Sequence, residues 1–199
     1  MKPSKAGIII MAAGSSSRLG KPKQLLKYQG KSLIQRAIET ADKTDSQMSV
    51  LILGANLELI LKEIRGLKVN VVINNSWQEG MSSGMQKGLD YLEKKLDPDL
   101  VILMLCDQPF VDSDVLNLLI EKQKATGKGI IACQYDEVVG VPALFTKKYF
   151  PKLRKLKGTE GAKKVLYDNQ DDLAHIDFQD AAIDIDTMED YEKLTNGKY

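Results

Sequence analysis

Histidine, cysteine and net charge are all scarce in this sequence, and each scarcity closes off a class of chemistry. The one histidine, His175, lies between Ala174 and Ile176 in a stretch that reads as a strand. A histidine-based mechanism therefore has little support. The two cysteines, Cys106 and Cys133, fall in no metal or redox spacing and read as buried thiols. No His/Cys set exists for zinc. With 28 Lys and Arg against 27 Asp and Glu, the formal charge is +1, which argues against nucleic acid or an anionic membrane as partner. No apolar run approaches the length of a membrane span or signal peptide, so a reducing, cytoplasmic setting is expected. Gly/Pro/Ser-rich linkers, low-complexity segments and repeats are also missing. Residues 1–199 are expected to form one domain.

What is present is alternation. "GIIIMAA", "MSVLILG", "KVNVVIN" and "DLVILMLCD" read as strands. Between and after them, "SLIQRAIETADK", "NLELILKEIRG", "EGMSSGMQKGLDYLEKKL" and "SDVLNLLIEKQKATG" carry helical spacing. Ser32 is placed to cap the first helix, Asp112 or Ser113 the fourth, and Gly66 to close the second. Strands that are continuous apolar runs, alternating with helices, imply an α/β fold with a mostly parallel sheet and helices on both faces. After Gly129 the alternation loosens: "GIIACQY", "VVGVPALF" and "LAHIDF" read as further strands.

The first strand runs into "MAAGSSSRLGKPKQLL", Met11 to Leu26. In an open parallel sheet, ligands bind beyond the carboxyl ends of the strands, where this loop begins. Its glycines are spaced wrongly for a P-loop, because Gly14 and Gly20 enclose five residues and Lys21 is followed by Pro22. A dinucleotide fingerprint fails too, because Ser16 stands where the second glycine is needed. What remains is a chain stretch with little bulk at Ala12, Ala13 and Gly14 and with hydroxyls at Ser15, Ser16 and Ser17. Arg18 offers a planar fork for phosphate oxygens and Lys23 a point charge.

Asp107 ends the fourth strand at the same crevice, and Pro109 stops the strand. Far along the chain, "AAIDIDTMEDYEKL" sets Asp184 and Asp186 at strand alternation, while Asp186 or Thr187 would also suit as a helix N-cap. Hard oxygen donors of this kind suit Mg²⁺, held by one or two carboxylates plus substrate phosphates. Gly80, Gly84 and Gly88 recur every four residues of the third helix. Each costs about 1 kcal/mol against Ala in a helix, so something comes close: a nucleotide at the helix N-terminus or a neighbouring strand. Trp77, Met81, Met85 and Leu89 form a stripe that reads as core.

Five segments in order, "MAAGSSSRLGKPKQLL", "NNSWQEGMSSGMQKGL", "LMLCDQPFV", "GVPALF" and "DIDTMEDY", resemble the molybdenum cofactor cytidylyltransferases. The resemblance implies a single Rossmann-like domain that transfers CMP from CTP to the terminal phosphate of molybdopterin, with Mg²⁺. It implies Ala12, Ala13, Gly14 and Ser15 beside the nucleotide, together with Gly80 and Ser82. Arg18, Lys23 and Asp107 are then the catalytic residues, also in contact with nucleotide. Asp107 and Asp186 hold the metal, with Asp184 as the alternative. The Ala12–Ala13 pair resembles the cytidylyl rather than the guanylyl branch, where Gly-Gly is usual. Three positions depart from the pattern: Gly84 stands where Ser is usual, Thr159 stands where a Gly-Asp-x-Gly-Ala segment has its Asp, with Glu160 next to it as a substitute acid, and Met188 stands where Pro is common. GTP, another phosphorylated acceptor, or a cofactor-delivery module are the alternatives. A molybdoenzyme or its chaperone would be the downstream partner. A dinucleotide-dependent oxidoreductase lacks its glycines.

Overall fold

The apolar runs lie side by side as parallel strands in the computed structural model, which describes residues 4–199. The strands are β1 (Ala6–Met11), β2 (Lys27–Tyr28), β3 (Lys31–Ser32), β4 (Met48–Leu53), β5 (Asn70–Ile73), β6 (Leu100–Leu105), β7 (Ile130–Tyr135), β8 (Val138–Thr146) and β9 (Leu173–Asp177). The helices are α1 (Leu33–Lys43), α2 (Leu57–Glu63), α3 (Met81–Lys95), α4 (Ser113–Thr126), α5 (Phe150–Arg154), α6 (Ala162–Tyr167) and α7 (Met188–Thr195). Seven strands form one sheet in the order β5-β4-β1-β6-β8-β7-β9. Only β8 runs against its neighbours β6 and β7, so the sheet is mostly parallel, as the alternation implied.

Period-two alternation splits each central strand between two cores. Ile8, Ile10, Leu51, Leu53, Ile102 and Met104 face one side, under α1 and α4. Ile9, Val50, Ile52, Val101 and Leu103 face the other, under α3, α5 and α6. A third, smaller cluster joins Leu19, Leu26 and Leu33 to Ile185 and Leu194. It seats the loop after β1 on the C-terminal helix.

Local signals explain the helix ends. Ser32 and Gln35 form a capping box on α1, Asp112 rather than Ser113 caps α4, and Thr187 with Asp190 caps α7. The glycines of α3 lie against β1: a methyl on Gly88 would lie 2.7 Å from Ile9, and one on Gly84 2.9 Å from Met11. Two expectations change. Helix α2 closes at Glu63, ahead of Gly66. Residues 183–186 are extended but join no strand, since β6 has ended by Asp107, whose carbonyl takes only the Ile185 N–H at 3.1 Å.

Both cysteines are free and buried, and burial pushes the Cys133 thiol up to about 12. His175 is exposed on β9 beside Ala132 of β7.

Asp172 pins the start of β7. It accepts the Gly129 N–H (3.0 Å), the Tyr149 hydroxyl (2.8 Å) and the Lys148 ammonium (3.0 Å). Those bonds, in that order, lower its pKa from 3.8 to about 2. Stabilisation from Asp172 is therefore complete above about pH 4 and is lost as pH falls through about 2. Asp172→Ala should cost about 1–3 kcal/mol in urea unfolding at pH 7, and the gap from the native chain should shrink at pH 2.

Candidate functional site

The loop after β1 is tied to both neighbouring strands. Ala12 N–H donates to Ile52 (3.1 Å), Ala55 N–H to the Ala13 carbonyl (3.0 Å) and Cys106 N–H to that of Met11 (3.3 Å). The loop then turns at Ser16, whose φ of 58° lies in the left-handed region that side chains rarely occupy. Ser16 Oγ accepts the Lys23 N–H at 3.0 Å. Gln24, 1 % exposed, donates its amide to the carbonyls of Ala12 and Gly14, each at 2.9 Å.

Beyond the strand ends, one ammonium meets two carboxylates. Lys23 Nζ is bonded to Asp107 and, at 2.9 Å, to Asp186. Burial on its own lowers the lysine pKa, but Asp107 and then Asp186 outweigh it and hold the ammonium well above the usual range. Asp186 is opposed by partial burial, yet Lys23 and then Arg18 keep its pKa lowered. Arg18 reaches Asp186 at 2.6 Å with a side chain 73 % exposed. An exposed pair of that kind contributes about 0–1 kcal/mol, so Arg18 is held loosely while Lys23 is held firmly. Asp184 lies two residues from Asp186, and so on the same side of the extended segment, opposite buried Ile185. It is exposed, but partial desolvation, then the charges of Asp107 and Asp186, push it up to about 7 against the pull of Lys23.

A cleft of about 340 Å³ adjoins this cluster. Ala12, Ala13, Gly14, Ser15, Lys23 and Asp107 wall one side, and Asn74, Trp77, Gly80 and Met81 the other. A hollow of about 490 Å³ lies at the amino ends of β4 and β5, beside Met48 and Asn70. It lacks the loop and the carboxylates, and ligands of parallel sheets bind at the opposite ends.

The sequence-predicted residues thus separate. Ala12, Ala13, Gly14, Ser15, Lys23, Gly80 and Asp107 line the cleft, while Arg18, Asp184 and Asp186 stand at its charged end. Ser82 is a correction. It is 4 % exposed, and its hydroxyl donates to the Gly158 carbonyl at 2.9 Å, so it clamps a turn. Ser83 is engaged likewise, with Asn74 and the Ser76 and Gly80 carbonyls. Gly80 is small because Gly158 backbone lies against it, at a φ of 107°. Met85 and Leu89 are core, but Trp77 and Met81 line the cleft and leave the expected stripe. Glu160 accepts the Lys157 N–H at 2.8 Å. Lys147 pairs with Asp97, and Arg154 with Asp90 and Glu93. Sequence reasoning missed Gln24 and Asn74. Neutral amides carry no charge signal, and only their buried hydrogen bonds show their place.

The donor set suits a divalent cation. Asp107 Oδ1 is buried and has no hydrogen-bond partner, and a hard carboxylate oxygen is what Mg²⁺ takes. Among the described residues no three His, Cys, Asp or Glu side chains form a ready cage. Phosphate oxygens of a substrate would supply the balance of the coordination.

The model of a MobA-like NTP transferase domain matches residues 8–174. Rv0371c from Mycobacterium tuberculosis superposes with a TM-score of 0.83 at 25% identity, over 97% of this chain and 98% of that one. Its manganese complex gives 0.79 at 23%, over 98% and 99%. Nicotine blue oxidoreductase of Paenarthrobacter nicotinovorans is 32% identical over 102 residues, 51% of this chain and 48% of the relative. The aligned part thus spans about half the length of that curated relative.

Trp77 is the chain's single tryptophan, and it borders the cleft. Its fluorescence should change on titration with a nucleoside triphosphate and Mg²⁺. An unchanged spectrum at saturating ligand would place binding elsewhere.

Proposed function

The chain belongs to the MobA-like NTP transferase family, and from that premise we propose that it is an Mg²⁺-dependent cytidylyltransferase acting on molybdopterin or molybdenum cofactor. The observation that carries the reading is Lys23 in contact with both Asp107 and Asp186 beside the cleft. That cluster joins a firmly held cation for phosphate to carboxylates for a metal.

In this reading a terminal phosphate oxygen of the acceptor, largely ionised near neutral pH, attacks the α-phosphorus of CTP in line. The bond from that phosphorus to the bridging oxygen breaks, and pyrophosphate leaves with the electron pair. No group has to remove a proton, which agrees with a cleft that histidine does not line. Catalysis then rests on positioning and on neutralising charge. Arg18 and Lys23 bind the triphosphate and stabilise the departing pyrophosphate. Ala12, Ala13, Gly14 and Ser15 border the nucleotide. Asp107 and Asp186 would hold Mg²⁺, with Asp184 beside them, and the ion would neutralise phosphate charge. The choice of CTP over GTP rests on the Ala12–Ala13 pair. The oxidoreductase name of the relative, matched over about half its length, is not carried over, because this loop has Ser16 where a dinucleotide fingerprint needs glycine.

Pyrophosphate should appear when CTP, Mg²⁺ and molybdopterin are combined with the protein, and GTP in place of CTP should give much less. Asp107→Asn should lower kcat/KM about 10²–10³-fold. A reaction that consumes no triphosphate, or an Asp107→Asn enzyme as fast as the native one, would sink the proposal. Lys23→Met strips the counter-charge from two carboxylates and should destabilise the fold by about 3–5 kcal/mol. Mg²⁺ without nucleotide should then raise the Tm of Lys23→Met more than that of the native protein.

A further inference from the structure

Gln24 belongs to the element after the loop, carries no charge and is almost wholly buried, yet its amide reaches back to the loop twice. Nε2 donates to the carbonyls of Ala12 and Gly14 at 2.9 Å each. Oε1 lies 3.4 Å from the hydroxyl of Ser16. All three positions of the side-chain amide are therefore committed, which fixes its orientation.

The consequence follows from the peptide group. The peptide bonds of this loop are trans, and in a trans peptide the carbonyl and the following N–H point in opposite directions. With the Ala12 and Gly14 carbonyls drawn toward Gln24, the N–H groups of Ala13 and Ser15 are turned away from it. No carbonyl or side chain among the described residues accepts either of them, and both residues line the cleft. Two unpartnered N–H groups on a loop with little bulk are donors open to an anion.

We propose that Gln24 is a positioning residue for nucleotide binding: by holding the Ala12 and Gly14 carbonyls it aims the Ala13 and Ser15 N–H groups at the phosphates of the triphosphate. This rests on the nucleotidyltransferase reading. Ser16 completes the device. Its strained left-handed backbone places Oγ where it receives the Lys23 N–H and meets Gln24. The same three residues thereby lock loop shape to the position of the Lys23 ammonium. Neighbouring polar side chains differ in kind, since Lys23 and Asp107 act by charge.

Amide NMR of the full-length native protein, titrated with inorganic tripolyphosphate, tests the geometry directly. The Ala13 and Ser15 amides should be among the most shifted resonances. Binding that leaves those two unmoved would overturn the inference. Gln24→Met and Gln24→Glu test the role. Methionine keeps the volume but donates nothing, and glutamate sets a third acceptor against two carbonyls. KM for the triphosphate should rise at least tenfold in Gln24→Met and further in Gln24→Glu, while kcat stays within about threefold and KM for the acceptor is unchanged. A folded Gln24→Met enzyme with an unaltered triphosphate KM refutes the role. If the native protein binds neither tripolyphosphate nor any nucleoside triphosphate, the nucleotidyltransferase reading fails, and this inference with it. Should both variants fail to fold, the native titration still decides.

Discussion

A single ammonium, Lys23 Nζ, closes the structure at its functional end. It meets Asp107 at the end of β6 and Asp186 near the C-terminus, so three stretches remote in sequence converge on one charge. At a separation near 4 Å, a pair close to a protein surface interacts by about 4 kcal/mol before desolvation is counted. Lys23 is hydrogen-bonded to both partners, so loss of the ammonium would leave two carboxylates uncompensated. Asp186 could not be held there by the backbone alone, since residues 183–186 join no strand and share one hydrogen bond with Asp107. The small cluster of Leu19, Leu26, Leu33, Ile185 and Leu194 supplies the rest. It packs the underside of the same loop and segment whose upper sides carry Arg18, Lys23, Asp184 and Asp186.

The division between firm and loose cations has a structural cause. Lys23 lies in a short 3-10 turn whose entry is fixed by Ser16 and whose next residue, Gln24, is buried. Arg18 projects from the exposed part of the loop and, among the described residues, pairs with Asp186 alone. One cation is thus held in place by its partners while the other is free to move.

The fold was legible because its signals are local and redundant. Apolar runs of strand length, helices of 3.6 period and cap residues such as Ser32 and Asp112 each repeat the same message. The charged residues of the site were legible for a related reason: Lys23 and Asp107 sit where a loop leaves a buried strand, and ionic side chains there need a purpose. Ser82 misled, because a hydroxyl on a helix N-terminus looks the same in sequence whether it meets a ligand or the carbonyl of Gly158. Gly80 was ambiguous in the same way, since close approach by backbone and by ligand both demand the missing side chain. Trp77 reads as core by spacing alone, because helical periodicity cannot tell a packed face from one left open by the 3-10 turn that precedes α3. Gln24 was invisible because its work is done on carbonyls of its own chain.

Charge balance at the cleft then bears on what it can accept. Arg18 and Lys23 bring two positive charges, and Asp107 and Asp186 cancel them. Asp184, with its pKa raised to about 7, adds further negative charge near neutrality. A triphosphate entering alone would find donors but no net positive field, and the Lys23 ammonium would have to leave its carboxylates to greet it. That exchange exposes the buried Asp107 carboxylate, whose Oδ1 already has no partner, at a cost of several kcal/mol. On the proposed function, Asp107 and Asp186 would hold the cation, which would offset that cost and leave Lys23 for the phosphates. On that reading, the pairing of Lys23 with two carboxylates would favour a metal-bound triphosphate over a free one, before any base is read.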